Sequence, residues 1–414
     1  MAGTLLEQIL MRNGVAAGDI VFAQDVQVAP AHIYGHDRNT FKILNQVTER
    51  GARPDQAIAA DRLRLYQDHY APPPSQETAA LHRQQRELAD TVGGRLFPAG
   101  SGVGHQIAIE RFASPGEIAV GVDSHTCSIG GLGALGVRHA PIMVADAMMT
   151  GRFAYEVPKA LRIELSGRLP DGVGTKDVML DLARRHGQDS FLDRLLEFGG
   201  PGLATLAVPD RVTLCNLAID LRGRGGVCES DDITRDFLAA HGRGERYVAL
   251  RADPDAYRER IEIDLSRAEP MIALPGSVFG SIPLTARRER ERVDVVTVGS
   301  CTNGRFEDFE AFARTINGHT PAPGVRMILT PASRDIARRL NSSGLADRFL
   351  DLGATLNPPG CGPCMGLHQG VLVDDEVCVT TGNTNDAGRQ GSDRARIFLA
   401  SPQTAARAAC TGMI

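Results

Sequence analysis

Apolar residues along this chain fall into short runs separated by amphipathic stretches. Glu117-Ile-Ala-Val-Gly-Val122, bounded by Pro115-Gly116 and by polar residues, predicts a buried strand. Gln76 to Val92 sets Ala79, Ala80, Leu81, Leu88 and Val92 among charges, which predicts a surface helix after the Ala71-Pro-Pro-Pro74 connector. Lys176 to Arg185 reads the same way. Such alternation predicts the α/β class, with helices layered on largely parallel sheets.

In the second half, the charged run Arg287-Arg-Glu-Arg-Glu-Arg292 reads as an exposed boundary before a strand at Val293 to Val298. Gly299-Ser-Cys-Thr-Asn-Gly304 follows, and then Phe306 to Ile316 at helical spacing, so Cys301 is expected on a strand-to-helix turn. A strand at Val325 to Leu329, a helix near Ser333 to Leu340 and a Gly-Pro loop at 357 to 366 complete this part. No repeat at solenoid spacing is present.

The 414 residues exceed what one core usually serves, so two or three domains are expected. A net charge of -5 and 5% aromatic residues offer no basic or base-stacking face, which argues against nucleic acid. The first 23 residues contain Glu7 and Asp19 and lack a basic stretch ahead of an apolar one, and no later run reaches membrane-spanning length. A cytoplasmic protein without a membrane segment is the expectation.

Eight cysteines in such a chain are too sparse for a disulfide scaffold. Cys361 and Cys364 form a C-x-x-C within Asn357-Pro-Pro-Gly-Cys-Gly-Pro-Cys-Met-Gly366, where Gly lets the backbone approach a bulky group and Pro stiffens it. Cys301 lies where a helix N-terminus would favour a thiolate. Three thiolates can therefore converge, although a C-x-x-C alone also suits zinc, redox chemistry or a core.

Gly299-Ser-Cys-Thr-Asn-Gly-Arg305, Pro359-Gly-Cys-Gly-Pro-Cys364 and Val122-Asp-Ser-His-Thr126 resemble signatures of the aconitase superfamily. Gly104-His-Gln106, Gly174-Thr-Lys-Asp177, Thr213-Leu-Cys-Asn216 and Leu399-Ala-Ser-Pro402 follow in the order expected of isopropylmalate dehydratase and homoaconitase large subunits. The resemblance spans nearly the whole chain. It implies a three-domain α/β/α core, with domains at 1–180, 181–290 and 291–414 and a pocket where all three meet. It also implies that Cys301, Cys361 and Cys364 hold a [4Fe-4S] cluster with one iron lacking a protein ligand.

That open iron suits dehydration, because a Lewis acid can bear the charge of a departing hydroxide. By the same resemblance, Asp68 and His69 supply and orient the proton, and His105, Asp123 and His125 line the pocket. Asp220 stands where relatives carry a glutamate. Ser124, Asn216, Asn383 and Arg389 are the implied substrate contacts, the arginine as a carboxylate fork. The implied reaction is dehydration or isomerisation of a hydroxy-dicarboxylate such as 3-isopropylmalate, with leucine-type branched-chain synthesis as the default pathway.

Two departures qualify this. Where relatives carry Ser-Asn-Arg-Asn, this chain has Gly382-Asn-Thr-Asn385, so an expected arginine is Thr384, and Asp220 is shorter than the usual glutamate. They suggest a different substituted malate, homoaconitate-like or dimethylmalate-like, or a low-activity paralogue. Single-chain relatives append a swivelling domain with the catalytic base, whereas this sequence ends at Ile414, so a separate small subunit is expected to supply it.

Three rival readings fit parts of the sequence. Gly131-Leu-Gly-Ala-Leu-Gly136 satisfies the dinucleotide fingerprint, but Asp123-Ser-His-Thr-Cys127 separates it from its strand. A structural zinc protein, with His368 or Cys378 as fourth ligand, accounts for the cysteines but not for Asp68, His105 and Asp123. An RNA-binding role has no basic surface to support it.

Overall fold

The protein is described here by a computed structural model covering residues 3–414. The sheets are largely parallel, and the α/β class expected from the alternation is what forms. The chain divides into two compact units: residues up to Ala99 with Gly104–Ser166 and Phe191–Ile263, and Gly100–Val103 with Gly167–Ser190 and Asp264–Ile414.

In the first unit, strands β1 (His32–His36), β2 (Leu63–Tyr66), β3 (Arg95–Phe97), β4 (Ile118–Gly121) and β5 (Leu135–Arg138) form a sheet in the order β3-β2-β1-β4-β5. Each adjacent pair is parallel, with His36 opposite Tyr66 and Tyr34 opposite Gly121. β1 and β4 are buried along their whole length, as a strand covered on both faces must be. A second sheet orders β6 (Lys159–Ser166), β7 (Arg194–Gly199), β8 (Gly226–Cys228) and β9 (Glu259–Asp264) as β8-β7-β6-β9.

The second unit is built on a seven-stranded sheet among the described residues. Its strands β10 (Met271–Ala273), β11 (Ser281–Pro283), β12 (Val295–Gly299), β13 (Arg326–Thr330), β14 (Thr355–Leu356), β15 (Val377–Thr380) and β16 (Arg396–Ala400) run in the order β11-β10-β16-β15-β12-β13-β14. β10 pairs antiparallel with both β11 and β16, and the β16-to-β14 side is parallel. Sheet membership does not change at residues 180 and 290: β6 already belongs to the second sheet, and β10 and β11 join the third.

Helix α1 (Gln76–Val92) starts where Ser75 accepts from the Thr78 N–H and stops at Gly93 in the left-handed region, φ +76°. The charged boundary is only partly solvated. Arg288, Glu289, Arg290 and Arg292 are exposed, but Arg287 pairs with Glu291 at 2.6 Å and lies over the Phe398 ring. The Gly131–Gly136 run cradles no phosphate: a Cβ at Gly136 would lie 2.1 Å from the Thr126 carbonyl oxygen, so these glycines serve close packing. No helix among the described residues is long and apolar enough to cross a membrane.

Candidate active site

Parallel strands deliver their C-terminal ends to one edge of a sheet. β1 ends at His36-Asp37, β2 leads to Asp68-His69, and β4 to Asp123-Ser124-His125. Beside them lies α2 (Gly104–Arg111), whose first N–H, from Gly104, donates to Asp68 Oδ2 at 2.8 Å. His69 Nδ1 bonds Asp68 Oδ1 at 2.8 Å, and its Nε2 lies 3.3 Å from Asp123 Oδ2. His105 Nε2 bonds Asp123 Oδ1 at 2.9 Å, and the His125 N–H donates to the same oxygen at 2.8 Å.

Burial alone would raise the Asp68 carboxyl, but His36 and His69 outweigh it and hold the group well below the usual carboxylate range. Asp123 is likewise held well below that range, burial being overcome by His105 first and then by His69 and His36. His105 is pushed down by burial, which the hydrogen bond to Asp123 only partly offsets.

His125 Nε2 stands 3.3 Å from Asp220 Oδ2, so the shorter carboxylate reaches its histidine. Asn216, fully buried on the Val208–Leu217 helix, donates from Nδ2 to Ser128 Oγ at 2.9 Å. Ser124 opens the 3₁₀ turn Ser124–Leu132 and is half-buried. Sequence reasoning missed His36, Asp37 and His82. His36 Nδ1 bonds Asp68 at 2.9 Å, His82 Nε2 bonds Asp37 Oδ2 at 3.0 Å, and Asp37 accepts the N–H groups of His69 and Tyr70. The available signal was the placement of Gly35-His36-Asp37 at the end of a buried run.

In the second unit, the β-branched run of β12 ends in a sharp turn. Gly299 has φ +142° and Ser300 φ +60°, and a Cβ at Gly299 would lie 2.2 Å from the Thr330 carbonyl oxygen. The turn starts helix α3 (Ser300–Asn303), which carries Cys301. Arg305 clamps it by donating to the carbonyls of Cys301 at 3.0 Å and Thr302 at 2.6 Å. Asp308 accepts in turn from the Arg305 N–H and from Asn303 Nδ2.

Cys361 and Cys364 lie on the Gly-Pro loop. Gly362, at φ +59°, would put a Cβ 2.5 Å from Thr330 Oγ1. Cys301 packs with Cys361 and Val103 in one buried apolar cluster. Asn383 Oδ1 is 3.5 Å from Cys301 Sγ, and Arg389 Nη2 is 3.3 Å from Cys364 Sγ. A narrow recess is lined by Ser300, Thr330, Cys361, Cys364, Gly382 and Gln390, among others.

The family described as "Aconitase family (aconitate hydratase)" matches residues 19–412. The 3-isopropylmalate dehydratase large subunit 1 of Thermotoga maritima is 38% identical, covering 100% of this chain and 98% of that protein. The 2,3-dimethylmalate dehydratase large subunit of Eubacterium barkeri is 35% identical, over 100% of this chain and 99% of that one. Among solved structures, Thermococcus kodakaraensis aconitase X in its holo-form has the same fold, with a TM-score of 0.53, 14% identity, and coverage of 98% of this chain and 96% of that chain.

Proposed function

This chain belongs to the aconitase family, and on that premise we propose that it is the large subunit of a hydro-lyase that dehydrates a substituted malate. The carrying observation is the Asp68–His69–Asp123 chain: a histidine held at Nδ1 by one carboxylate and presented through Nε2 to another. 3-Isopropylmalate is the first substrate to test, and 2,3-dimethylmalate, named for a relative of similar identity, is the second.

The thiols suit an iron–sulfur cluster. Cys301 and Cys361 share one buried cluster, and Cys361 and Cys364 line one recess with Ser300, the residue before Cys301. Burial pushes the Cys378 thiol, a possible fourth zinc ligand, up to about 12. When bound, a [4Fe-4S] cluster held by these three cysteines would supply a Lewis-acidic iron for the leaving hydroxyl.

The chain's own residues then have distinct tasks. Asp68 holds Nδ1–H of a doubly protonated His69, whose other proton, on Nε2 beside Asp123, is the one given to the departing hydroxyl. Asp123, kept ionised, holds His69 and His105 in place. Asp220 orients His125, and Arg389 offers a fork for a carboxylate. The base that removes the carbon-bound proton comes from a separate small subunit, a partner consistent with the "large subunit" in the relatives' names. The complex works in the cytoplasm.

The test is anaerobic reconstitution with iron and sulfide, addition of the small subunit, and measurement of unsaturated-product absorbance over a panel of substituted malates. Turnover dependent on both iron and small subunit is expected. An intact cluster with no turnover of any malate overturns the hydro-lyase reading, and full turnover by this chain alone overturns the two-subunit reading.

A further inference from the structure

His69 is held by two different carboxylates at two different places. Asp68 takes its ring at Nδ1, whereas Asp37 takes its backbone, accepting the His69 N–H on Oδ1 at 3.3 Å and the Tyr70 N–H on Oδ2 at 3.0 Å. Asp37 is itself fixed just past β1, where its own N–H donates to the Tyr66 carbonyl at 2.8 Å and its side chain is buried. His82, also buried, donates from Nε2 to Asp37 Oδ2 at 3.0 Å. A carboxylate can only accept, so Nε2 carries the proton in this bond.

The chain reaches His82 by a route that starts at His69. It leaves Tyr70 through the Ala71-Pro-Pro-Pro74 connector, enters α1 after Ser75, and brings His82 back to the carboxylate that holds His69. One carboxylate thus closes both ends of the segment 69–82. Gln85, one turn further along the same helix face, reaches the Gly35 and Tyr66 carbonyls at 3.3 Å each and Thr40 Oγ1 at 2.9 Å, so α1 also grips the ends of β1 and β2. A helix can bury a face on a sheet with apolar residues alone, and buried polar ones cost free energy unless bonded. Here both polar residues are bonded where the strands lead into Asp68 and His69. Burial alone would raise the Asp37 carboxyl, but the bonds from His69 and His82 outweigh it and keep the group below the usual carboxylate range.

We propose that His82 is a positioning residue: through Asp37 it fixes the backbone of His69, so that the ring presented to Asp123 stands where the departing hydroxyl needs its proton. The two carboxylates do separate work. Asp68 sets how the His69 ring is turned, and Asp37 sets where its backbone lies. A ring correctly turned on a displaced backbone still misses its target, and a misplacement of about 1 Å can cost about 10²-fold in rate. The positioning role rests on the hydro-lyase reading above; the backbone clamp does not.

The test compares His82→Met, which fills similar space without a donor, with His82→Gln, whose amide presents an N–H at comparable reach. His82→Asn, too short to reach Asp37, replaces the methionine variant if that one does not fold. In the reconstituted two-subunit enzyme, His82→Met is expected to lose about 10- to 100-fold in kcat while KM stays within about twofold and iron per chain is unchanged. His82→Gln should recover most of that loss. A KM that rises in step with the loss, or a glutamine variant as slow as the methionine one, overturns the positioning role. Amide hydrogen exchange in the same complexes needs no substrate. The His69 and Tyr70 amides should exchange roughly five- to tenfold faster in His82→Met and return toward the unmutated rate in His82→Gln, with β4 unchanged throughout. Exchange at His69 and Tyr70 that does not respond, or that rises equally in β4, overturns the clamp. If the unmutated complex turns over no malate, the hydro-lyase reading fails and the exchange rates still decide whether His82 and Asp37 hold His69.

Discussion

The Arg389 guanidinium donates from Nη2 to Cys364 Sγ at 3.3 Å. In the proposed cluster site, a cation bonded to the Cys364 sulfur would support the metal, and such outer contacts are commonly worth about 10- to 100-fold in metal affinity. Arg389→Gln is therefore expected to lose iron to a chelator faster by that factor while the far-ultraviolet circular dichroism stays unchanged. Equal retention would show that the arginine serves substrate alone.

Gly299 and Gly362 both press on Thr330, one against its carbonyl oxygen and the other against its side chain. A backbone carbonyl cannot move aside as a side chain can, so the two glycines should respond differently. Gly299→Ala is expected to lose both cluster colour and thermal stability. Gly362→Ala should lose less, and adding Thr330→Ala should restore part of its iron content. Iron per chain and melting temperature check this, and no rescue by Thr330→Ala would place the strain at Gly362 in its positive φ instead.

Asp68 accepts from two histidines and the first N–H of α2. Asp68→Asn preserves size but offers an N–H to groups that are already donors. A loss of about 10²–10⁴ in kcat is expected, with little change in KM, because the residue orients a proton rather than a substrate. A proportional rise in KM would instead mark Asp68 as a binding residue.

These residues were legible in the sequence to different degrees. Helices at Gln76–Val92 and Phe306–Ile316 could be read to the residue because their ends carry local chemistry, Ser75 at one start and left-handed Asn317 at one stop. The cysteines and their glycines were legible because turn geometry leaves a compositional trace. His36, Asp37 and His82 were not: each alone looks like an ordinary core polar group. Their meeting depends on the register that sets His36 beside Tyr66 and on the packing of α1, which no local pattern encodes.

Glu197 is buried at the start of the Leu5–Arg12 helix, where it accepts the N–H groups of Leu5 and Leu6 and the Tyr257 hydroxyl. Burial, only partly offset by these donors, pushes its carboxyl from 4.5 to about 7. A folded-state pKa above the unfolded one means that the native state binds the extra proton. Stability is then greatest below the unfolded value and falls as pH rises through the folded one, by about 3 kcal/mol in full. Asp177, raised to about 6, adds a slope of the same sign. Chemical denaturation between pH 4.5 and 7 should show declining stability, and Glu197→Gln should flatten much of that decline. An unchanged slope in the variant would assign the pH dependence elsewhere.

Thr384 sits between Asn383, which reaches Cys301, and Arg389, which reaches Cys364, and its Oγ1 is buried without a hydrogen-bond partner among the described residues. By resemblance, relatives place an arginine at this position. A charged fork bonded to a carboxylate contributes about 1.5–3 kcal/mol, or roughly 10- to 100-fold in discrimination. A neutral hydroxyl forgoes that contribution and leaves room for an uncharged substituent, which favours alkyl-substituted malates over substrates with a further carboxylate. Thr384→Arg is therefore expected to raise the ratio of kcat/KM for a tricarboxylate over an alkylmalate by about that factor. If the ratio does not move while iron content is intact, the side chain at 384 does not meet the substrate, and the choice among malates must be made by other residues or by the small subunit.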